Sequence, residues 1–323
     1  MLQEELKCFL CKSISDYLNI IKKIQSEQDK SIDLLWFRGQ SSSSYRLIPS
    51  GLRYKQDVMD SRGHVIKDGY RGASSGYTSL LLNLKGMLDE FKQRAIPYLD
   101  TYPRSDFEWM FLAQHYGLPT RLLDWTINPL VAMFFAVNDL DLNEIDLSYL
   151  SSTAEYSEQY FDKENRENCI DKNDIEMLRD SAAIFIINPY EINKAFGNGE
   201  KVINIIDDDR YEQYINPQDI SCYEPLCITS KSIDKRIIAQ SGNFTIHGSN
   251  LYPLDYYTVT RPFIHKVIIP YENINEIKNE LEILGINESF VYPGLDSIAK
   301  EIKNKEIKKF PHMVDKFYKN HEE

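Results

Sequence analysis

The sequence predicts a mixed α+β fold, in which a sheet with several buried strands is covered by helices. Apolar runs of strand length lie at residues 32–39, 182–189, 244–247 and 265–270. Apolar residues at helical spacing lie at residues 13–26, 78–99, 106–115, 130–138, 274–284 and 295–303. The two kinds of segment alternate irregularly and form no βαβ repeat, which favours a mixed α+β domain over a doubly wound sheet.

Length and composition place the chain among globular proteins. Its 323 residues, 42% of them hydrophobic, are enough for a substantial core in one large or two small domains. A net charge of -12 argues against non-specific binding to nucleic acid or to an anionic membrane, although a local basic groove could still bind nucleic acid. Five cysteines and the lack of a leader peptide predict reduced thiols in a cytoplasm, and no apolar run is long enough to cross a bilayer.

Motifs for several common chemistries are incomplete. Cys8 and Cys11 have the spacing of one half of a zinc site, but no second pair of ligands follows at zinc spacing, so no metal site is predicted. The segment 197–201, GNGEK, lacks the full phosphate-loop pattern, and no Gly-x-Ser-x-Gly elbow is present.

The first third of the chain has one chemically unusual strand. Residues 32–39 predict a buried strand that ends in Arg38 and Gly39. A guanidinium at the end of an apolar strand either binds a ligand or pairs with a buried carboxylate, because an unpaired buried cation is costly. After a polar turn, residues 45–50 predict an edge strand that ends at Pro49, and residues 51–77 predict a long loop.

The stretch 108–138 has the strongest local signals. A helix over 106–115 ends before Gly117, and Pro119 prevents its continuation. A short extended segment follows, and then Asn128 and Pro129 predict the N-cap and first residue of a second helix. That helix is apolar on almost every face and must be buried. The polar side chains between the two helices are therefore held by rigid elements, as a preorganised site requires.

The remaining chain suggests three parts. Residues 139–180 are acidic and irregular, which predicts an insertion outside the core. We therefore predict an N-terminal helical segment at 1–30, a main domain at 31–270 that contains this insertion, and a C-terminal helical extension at 271–323 packed on the same domain.

Several motifs together resemble a bacterial family, the FRG domain, which is named for its Phe-Arg-Gly motif. They are WFRGQ at 36–40, AQHYGLPTRLLDWT at 113–126, Asn128-Pro129, and AMFFA at 132–136. RIIAQSGNFT at 236–245 resembles the third motif of the family, so the resemblance extends over residues 30–250.

The order of these motifs is also similar to the arginine-serine-glutamate class of ADP-ribosyltransferases. This resemblance implies a mostly antiparallel, split sheet surrounded by helices, with NAD as substrate. By analogy, Arg38 and Gly39 would bind NAD, and Thr126 would take the place of the strand hydroxyl. The class uses a third-strand Glu to stabilise the oxocarbenium, whereas this chain has Gln240 there, so Asp124 is a candidate for the missing charge.

The central stretch supplies the other candidate residues, each with a structural alternative. His115 could act as a general base or cap the end of its helix. Arg121 could bind an anion or pair with Asp124. Tyr116 and Trp125 could stack on a base or nicotinamide ring, or belong to the core. The predicted catalytic residues are Arg38, His115, Asp124 and Gln240, and the predicted NAD-binding residues are Arg38, Gly39, Tyr116, Arg121, Trp125 and Thr126.

These observations predict a cytoplasmic, NAD-dependent ADP-ribosyltransferase-like protein, as in a bacterial toxin or anti-phage effector that modifies nucleic acid or protein. The alternative is a non-catalytic module that senses a nucleotide or nucleic acid. Both hypotheses require that Arg38 and the segment from His115 to Thr126 meet in one pocket. No membrane partner is predicted, and the sequence makes no prediction of the oligomeric state.

Overall fold

A computed structural model describes residues 6–27, 34–57, 78–80, 82–138, 181–199, 201–205, 209–217, 224–229 and 242–319. The strands are β1 Lys7–Leu10, β2 Trp36–Gln40, β3 Lys55–Asp57, β4 Thr78–Leu80, β5 Leu122–Thr126, β6 Ala182–Ile187, β7 Ile203–Asn204, β8 Leu226–Thr229, β9 Gly242–Ile246 and β10 Ile264–Ile269. The α-helices are α1 Ile14–Glu27, α2 Leu84–Ala95, α3 Asp106–His115, α4 Pro129–Asn138, α5 Pro189–Ala195, α6 Ile274–Ile283, α7 Glu288–Val291 and α8 Leu295–Lys319. None of the helices in these residues is both long and apolar enough to cross a membrane.

The strands form one open mixed sheet, which confirms the predicted α+β class. Within the described residues the order is β1-β10-β6-β2-β5-β9-β8-β7, and a separate hairpin pairs β3 with β4. The outer pairs β1–β10 and β7–β8 are parallel, and the other neighbours are antiparallel. The sheet is therefore mostly antiparallel, as predicted.

The pairing between β2 and β5 is short, and this positions the site. β2 pairs with β6 along its whole length, from Trp36 to Gln40. With β5 it shares the single registered pair Phe37–Thr126, whereas β5 pairs with β9 over all of its residues. The sheet therefore opens between β2 and β5 beyond this pair, at the level of Arg38 and Asp124.

Helices cover the sheet on both sides of this opening. α4 packs on β2 and on α6, and its buried residues share a core cluster with α1 and with Phe37. α3 packs on α2 and on the cluster around Phe111, Leu122 and Phe244. Trp36 and Trp125 belong to a third cluster, on the opposite face of the sheet. The N- and C-terminal segments thus share one core with the central strands.

Elements with strong local signals lie where the sequence predicts them. α3 ends at His115, and Gly117 has a φ of +83°, a conformation that favours glycine. The Oδ1 atom of Asn128 accepts the amide hydrogens of Leu130 (3.0 Å) and Val131 (3.4 Å), which confirms the predicted N-cap of α4. The predictions for α1, β2, β6, β9, β10 and α6 are also confirmed, with small shifts at their ends.

Two local predictions are wrong. Residues 45–50 form no strand, because the buried carboxylate of Asp255 accepts hydrogen bonds from Arg46 Nε (2.5 Å) and from the amide of Leu47 (3.0 Å). Residues 78–99 do not form one helix. Residues 78–80 pair with β3, and α2 begins only after Asn83, whose side chain accepts the amide hydrogen of Gly86 at 3.0 Å.

Other elements were not predicted. β1 is too short to give a period-2 pattern, and α5 begins with Asn188 and Pro189, the same pair of signals that begins α4. α8 extends to Lys319, well beyond the predicted helix over 295–303. The predicted acidic insertion at 139–180 and most of the predicted loop at 51–77 lie outside the described residues.

Buried histidines should make the fold sensitive to acid. Burial lowers the pKa of His265 to about 4, with Lys7 acting in the same direction and Glu27 in the opposite one, and burial lowers the pKa of His247 to about 3, helped by Arg121. Below about pH 6.5, the ordinary histidine pKa, the unfolded chain binds protons that the folded chain does not. Stability is therefore present at neutral pH and is lost as the pH falls from about 6.5 towards 4.

The His265→Phe variant tests this expectation. The ring of His265 stacks on that of Phe9 with centroids 6.1 Å apart, so phenylalanine keeps the stacking and removes the titrating group. Between pH 7 and 4.5, the free energy of unfolding of the wild type should fall by about 2 kcal/mol more than that of the variant. Urea denaturation at both pH values measures the difference, and equal losses would contradict the assignment.

Candidate functional site

A cavity of about 530 Å³ lies where β2 and β5 separate. Its volume is within the range of small-molecule sites, roughly 300–1,000 Å³. Polar groups lie beside aromatic rings in its wall. The lining includes Arg38, Gly39, Gln40, Arg53, Gln114, His115, Asp124, Trp125 and Thr126. The structure therefore brings Arg38 and the segment from His115 to Thr126 to one cavity.

Arg38 connects the two strands at the opening. Its Nη1 atom donates a hydrogen bond to the main-chain oxygen of Asp124 at 2.9 Å and lies 3.8 Å from Asp124 Oδ2. Its Nε is buried without a hydrogen-bond partner among the described residues, and so is Oε1 of Gln40. Two residues that line the cavity thus have a buried polar atom without a hydrogen bond, which is costly.

The charge near Arg38 favours an anion. Burial lowers the pKa of Arg38 to about 10, the carboxylate of Asp124 acts in the opposite direction, and the neighbouring guanidinium of Arg53 lowers it further. Arg38 is still a cation at neutral pH. Two guanidinium groups that repel each other across a cavity are both stabilised by an anionic ligand, and Arg forms bidentate hydrogen bonds with phosphate.

The segment that contains Arg53 is held by tertiary contacts. The carboxylate of Asp255 binds Arg46 and Leu47, as described above. Lys266 Nζ donates to the main-chain oxygen of Ser43 at 2.6 Å, and the amide of Gly51 donates to the main-chain oxygen of Thr120 at 2.9 Å. A segment without regular structure thereby holds its side chains at a defined edge of the cavity.

Among the lining residues that the structure describes, only Asp124 has a carboxylate side chain. Its side chain is 58% exposed. Gln114 Nε2 donates to its Oδ2 atom at 2.9 Å, on the carboxylate that also faces Arg38. The negative charge is therefore oriented by hydrogen bonding and remains accessible from the cavity.

His115 and Thr126 also line the cavity. The half-buried ring of His115 lies at the C-terminal end of α3 and packs edge-on against Tyr116, with centroids 5.0 Å apart. The hydroxyl of Thr126 is buried and accepts the amide hydrogen of Asn128 at 3.0 Å. This bond helps to turn the chain from β5 into α4.

Gly39 has a packing constraint that the sequence did not reveal. A Cβ atom at this position would lie 1.9 Å from the main-chain oxygen of Ala132 and 2.6 Å from the nitrogen of Ala136, both in α4. Glycine is therefore required for the close approach of α4 to β2, whatever its backbone contributes to ligand binding.

Two of the predicted NAD-binding residues, Arg121 and Tyr116, do not line the cavity, and the side chain of a third, Trp125, packs mainly in the core. The buried guanidinium of Arg121 donates to the main-chain oxygen of Gly248 at 2.6 Å, and Arg121 does not line the cavity. Trp125 contributes to the wall of the cavity, but it is 2% exposed and packs in the core on the opposite face, where its Nε1 donates to Thr245 Oγ1 at 3.2 Å. Tyr116 is 67% exposed and is not part of the lining. Gln240 lies outside the described residues.

Arg53 and Gln114 line the cavity but were not predicted from the sequence as site residues. Arg53 lies in a stretch without periodicity, so no local pattern indicated that it would face the end of β2. Gln114 is in the motif 113–126, next to His115. Its amide is neither charged nor titratable, so the motif alone did not indicate a role for it. The alternation of β5 could have assigned Trp125 to the core, because its side chain points to the face opposite those of Asp124 and Thr126.

Comparison with known proteins gives one match. Searches of curated proteins and of solved structures found no match. The segment 236–245, which resembles a third motif, lies outside the region matched by a family model. Residues 33–144, which contribute Arg38, Arg53, Gln114, His115 and Asp124 to the cavity, match the family model of the FRG domain.

Proposed function

We propose that the cavity binds NAD and that the protein transfers ADP-ribose to a nucleic-acid or protein acceptor in the bacterial cytoplasm. The observation that carries this proposal is the pair of guanidinium groups, Arg38 and Arg53, at an opening of the sheet large enough for a nucleotide. Phosphate groups would bind between the two cations, because a guanidinium group forms charge-assisted hydrogen bonds with phosphate oxygens.

The remaining polar groups fit the transfer step. The bond between the nicotinamide nitrogen and ribose C1′ breaks, and its electron pair leaves with neutral nicotinamide. The carboxylate of Asp124 stabilises the positive charge that develops on the ribose. A nucleophile of the acceptor then forms a bond to C1′, and His115 takes the proton that the nucleophile loses.

A binding module without catalysis is the second candidate. One observation favours it. The carboxylate of Asp124 already accepts a hydrogen bond from Gln114 and faces Arg38. A carboxylate whose charge is shared in this way stabilises an oxocarbenium less strongly. In this case the cavity senses a nucleotide or the end of a nucleic acid.

Two measurements on the purified protein distinguish these candidates. Calorimetry with millimolar NAD measures binding, and chromatography of a reaction mixture supplied with cellular nucleic acid and protein as acceptors measures released nicotinamide, with Arg38→Ala as the background control. Binding together with release supports the transferase, and we expect Asp124→Asn to bind NAD but to release nicotinamide at least ten-fold more slowly. Binding without release after long incubation supports the sensor. No binding would overturn the NAD proposal.

The acceptor can be identified in cells. Mass spectrometry of nucleic acid and protein after expression of the wild type should find ADP-ribose on a target, and expression of Arg38→Ala should not. Arrested growth with the wild type alone is the result expected of a toxin or an anti-phage effector.

A further inference from the structure

A chain of hydrogen bonds leads from a buried threonine to the carboxylate in the cavity. The amide of Leu122 donates to Thr120 Oγ1 at 3.0 Å, and Thr120 Oγ1 donates to Gln114 Oε1. Gln114 Nε2 donates to the main-chain oxygen of Leu122 at 3.2 Å and to Asp124 Oδ2 at 2.9 Å. Thr120 is 4% exposed, so water has little access to the beginning of the chain.

The orientation of the Gln114 amide follows from the chemistry of its neighbours. The main-chain oxygen of Leu122 and the carboxylate of Asp124 can only accept hydrogen bonds, so the NH₂ group must face them. The amide oxygen then faces Thr120, whose hydroxyl oxygen already accepts the amide hydrogen of Leu122 and whose proton is available. The reversed amide would place its oxygen beside two acceptors, which is unfavourable.

Thr120 also contacts the cationic side of the cavity. Its main-chain oxygen accepts the amide hydrogen of Gly51 at 2.9 Å, in the short helix Ser50–Leu52 that precedes Arg53. A Cβ atom on Gly51 would lie 2.5 Å from the same oxygen, so the approach is close. One buried residue thus connects the segment that contains Arg53 with the amide that holds Asp124.

We infer that Gln114 and Thr120 are positioning residues, which orient the Asp124 carboxylate towards the ligand. Neither side chain needs to take part in the chemistry. Removing the hydroxyl of Thr120 removes the partner of the Gln114 amide oxygen and leaves only the bonds of its NH₂ group, so the amide and the carboxylate are oriented less firmly while Arg38 and Arg53 remain in place. This inference rests on the proposed role of Asp124 in the transfer of ADP-ribose.

Two variants of Thr120 separate positioning from packing. Thr120→Val keeps the shape and removes the hydroxyl, whereas Thr120→Ser keeps the hydroxyl and removes a methyl group. We expect Thr120→Val to release nicotinamide at least ten-fold more slowly, with its Kd for NAD within about three-fold of the wild type, and Thr120→Ser to restore most of the rate. Equal loss in both variants, or loss of NAD affinity together with rate, would indicate a packing role and overturn the inference.

A second readout does not depend on NAD. In ¹⁵N-labelled protein the side-chain NH₂ signals of Gln114 should shift in Asp124→Asn and in Thr120→Val, but not in Thr120→Ser. Unshifted signals in the first two variants would show that the hydrogen-bond chain is absent. If the signals shift but the protein binds no NAD, the chain of hydrogen bonds is confirmed and only the proposed function is overturned.

Discussion

Replacing Arg38 with lysine should weaken NAD binding at least ten-fold, and replacing it with alanine about a hundred-fold. A hydrogen bond to a charged group is worth about 1.5–3 kcal/mol, which corresponds to roughly 10- to 150-fold in affinity. Lysine keeps the charge, but it cannot donate to the main-chain oxygen of Asp124 and also present a planar pair of donors to a phosphate. Calorimetry with NAD measures the change.

The matched control for this experiment is Arg94→Lys. Arg94 is exposed and pairs on the surface of α2 with Glu90, at 2.8 Å, so its substitution should leave the affinity unchanged. Thermal denaturation of each variant checks that the fold is kept, because Arg38 also connects β2 and β5. An Arg38→Lys affinity within two-fold of the wild type would exclude Arg38 from the binding site.

Replacing Gly39 with alanine should lower the free energy of unfolding by about 3 kcal/mol or more, because overpacking a core is costly and the clash here is with main-chain atoms. The added methyl group would lie 1.9 Å from the main-chain oxygen of Ala132. α4 is buried on nearly all sides, so it cannot move away without disturbing the core on both sides. Urea denaturation followed by circular dichroism measures the loss.

Gly294→Ala is the matched control for this substitution. Nothing lies within 4 Å of a Cβ atom at Gly294, and its φ is not in the left-handed region. Gly294 precedes the first residue of α8, where alanine is a poorer N-cap than glycine, so the free energy of unfolding should remain within about 1 kcal/mol of the wild type. If Gly39→Ala is as stable as Gly294→Ala, the close packing of α4 on β2 is incorrect.

The substitutions of Arg38 and Gly39 test different properties, namely the affinity for NAD at Arg38 and the stability of the fold at Gly39. The sequence resemblance assigned both residues to NAD, whereas the structure shows a packing constraint at Gly39 and an incompletely hydrogen-bonded guanidinium at Arg38. We therefore expect a substitution at position 39 to lower mainly the free energy of unfolding, and a substitution at position 38 to lower mainly the affinity for NAD. This difference separates the scaffold from the site.

The elements of the central stretch were determined by the sequence itself. α3 ends at His115, two residues before Gly117, and α4 begins with Asn128 and Pro129, because capping, the φ of proline and the freedom of glycine act within a few residues of the chain. The buried run of β6 and the mixed α+β class were determined in the same way. The sequence motifs also predicted that Arg38 and His115 share one pocket.

Only the tertiary structure decided which side chains reach that pocket. Arg121 and Asp124 lie three residues apart, yet one donates to Gly248 and the other faces the cavity. Arg53 lines it because Asp255, some two hundred residues away, fixes the preceding segment through Arg46. Such partners are distant in sequence, so the hydrogen bonds between them depend on the tertiary arrangement and not on any local pattern. The elements of the site were therefore predictable, but the directions of several of its side chains were not.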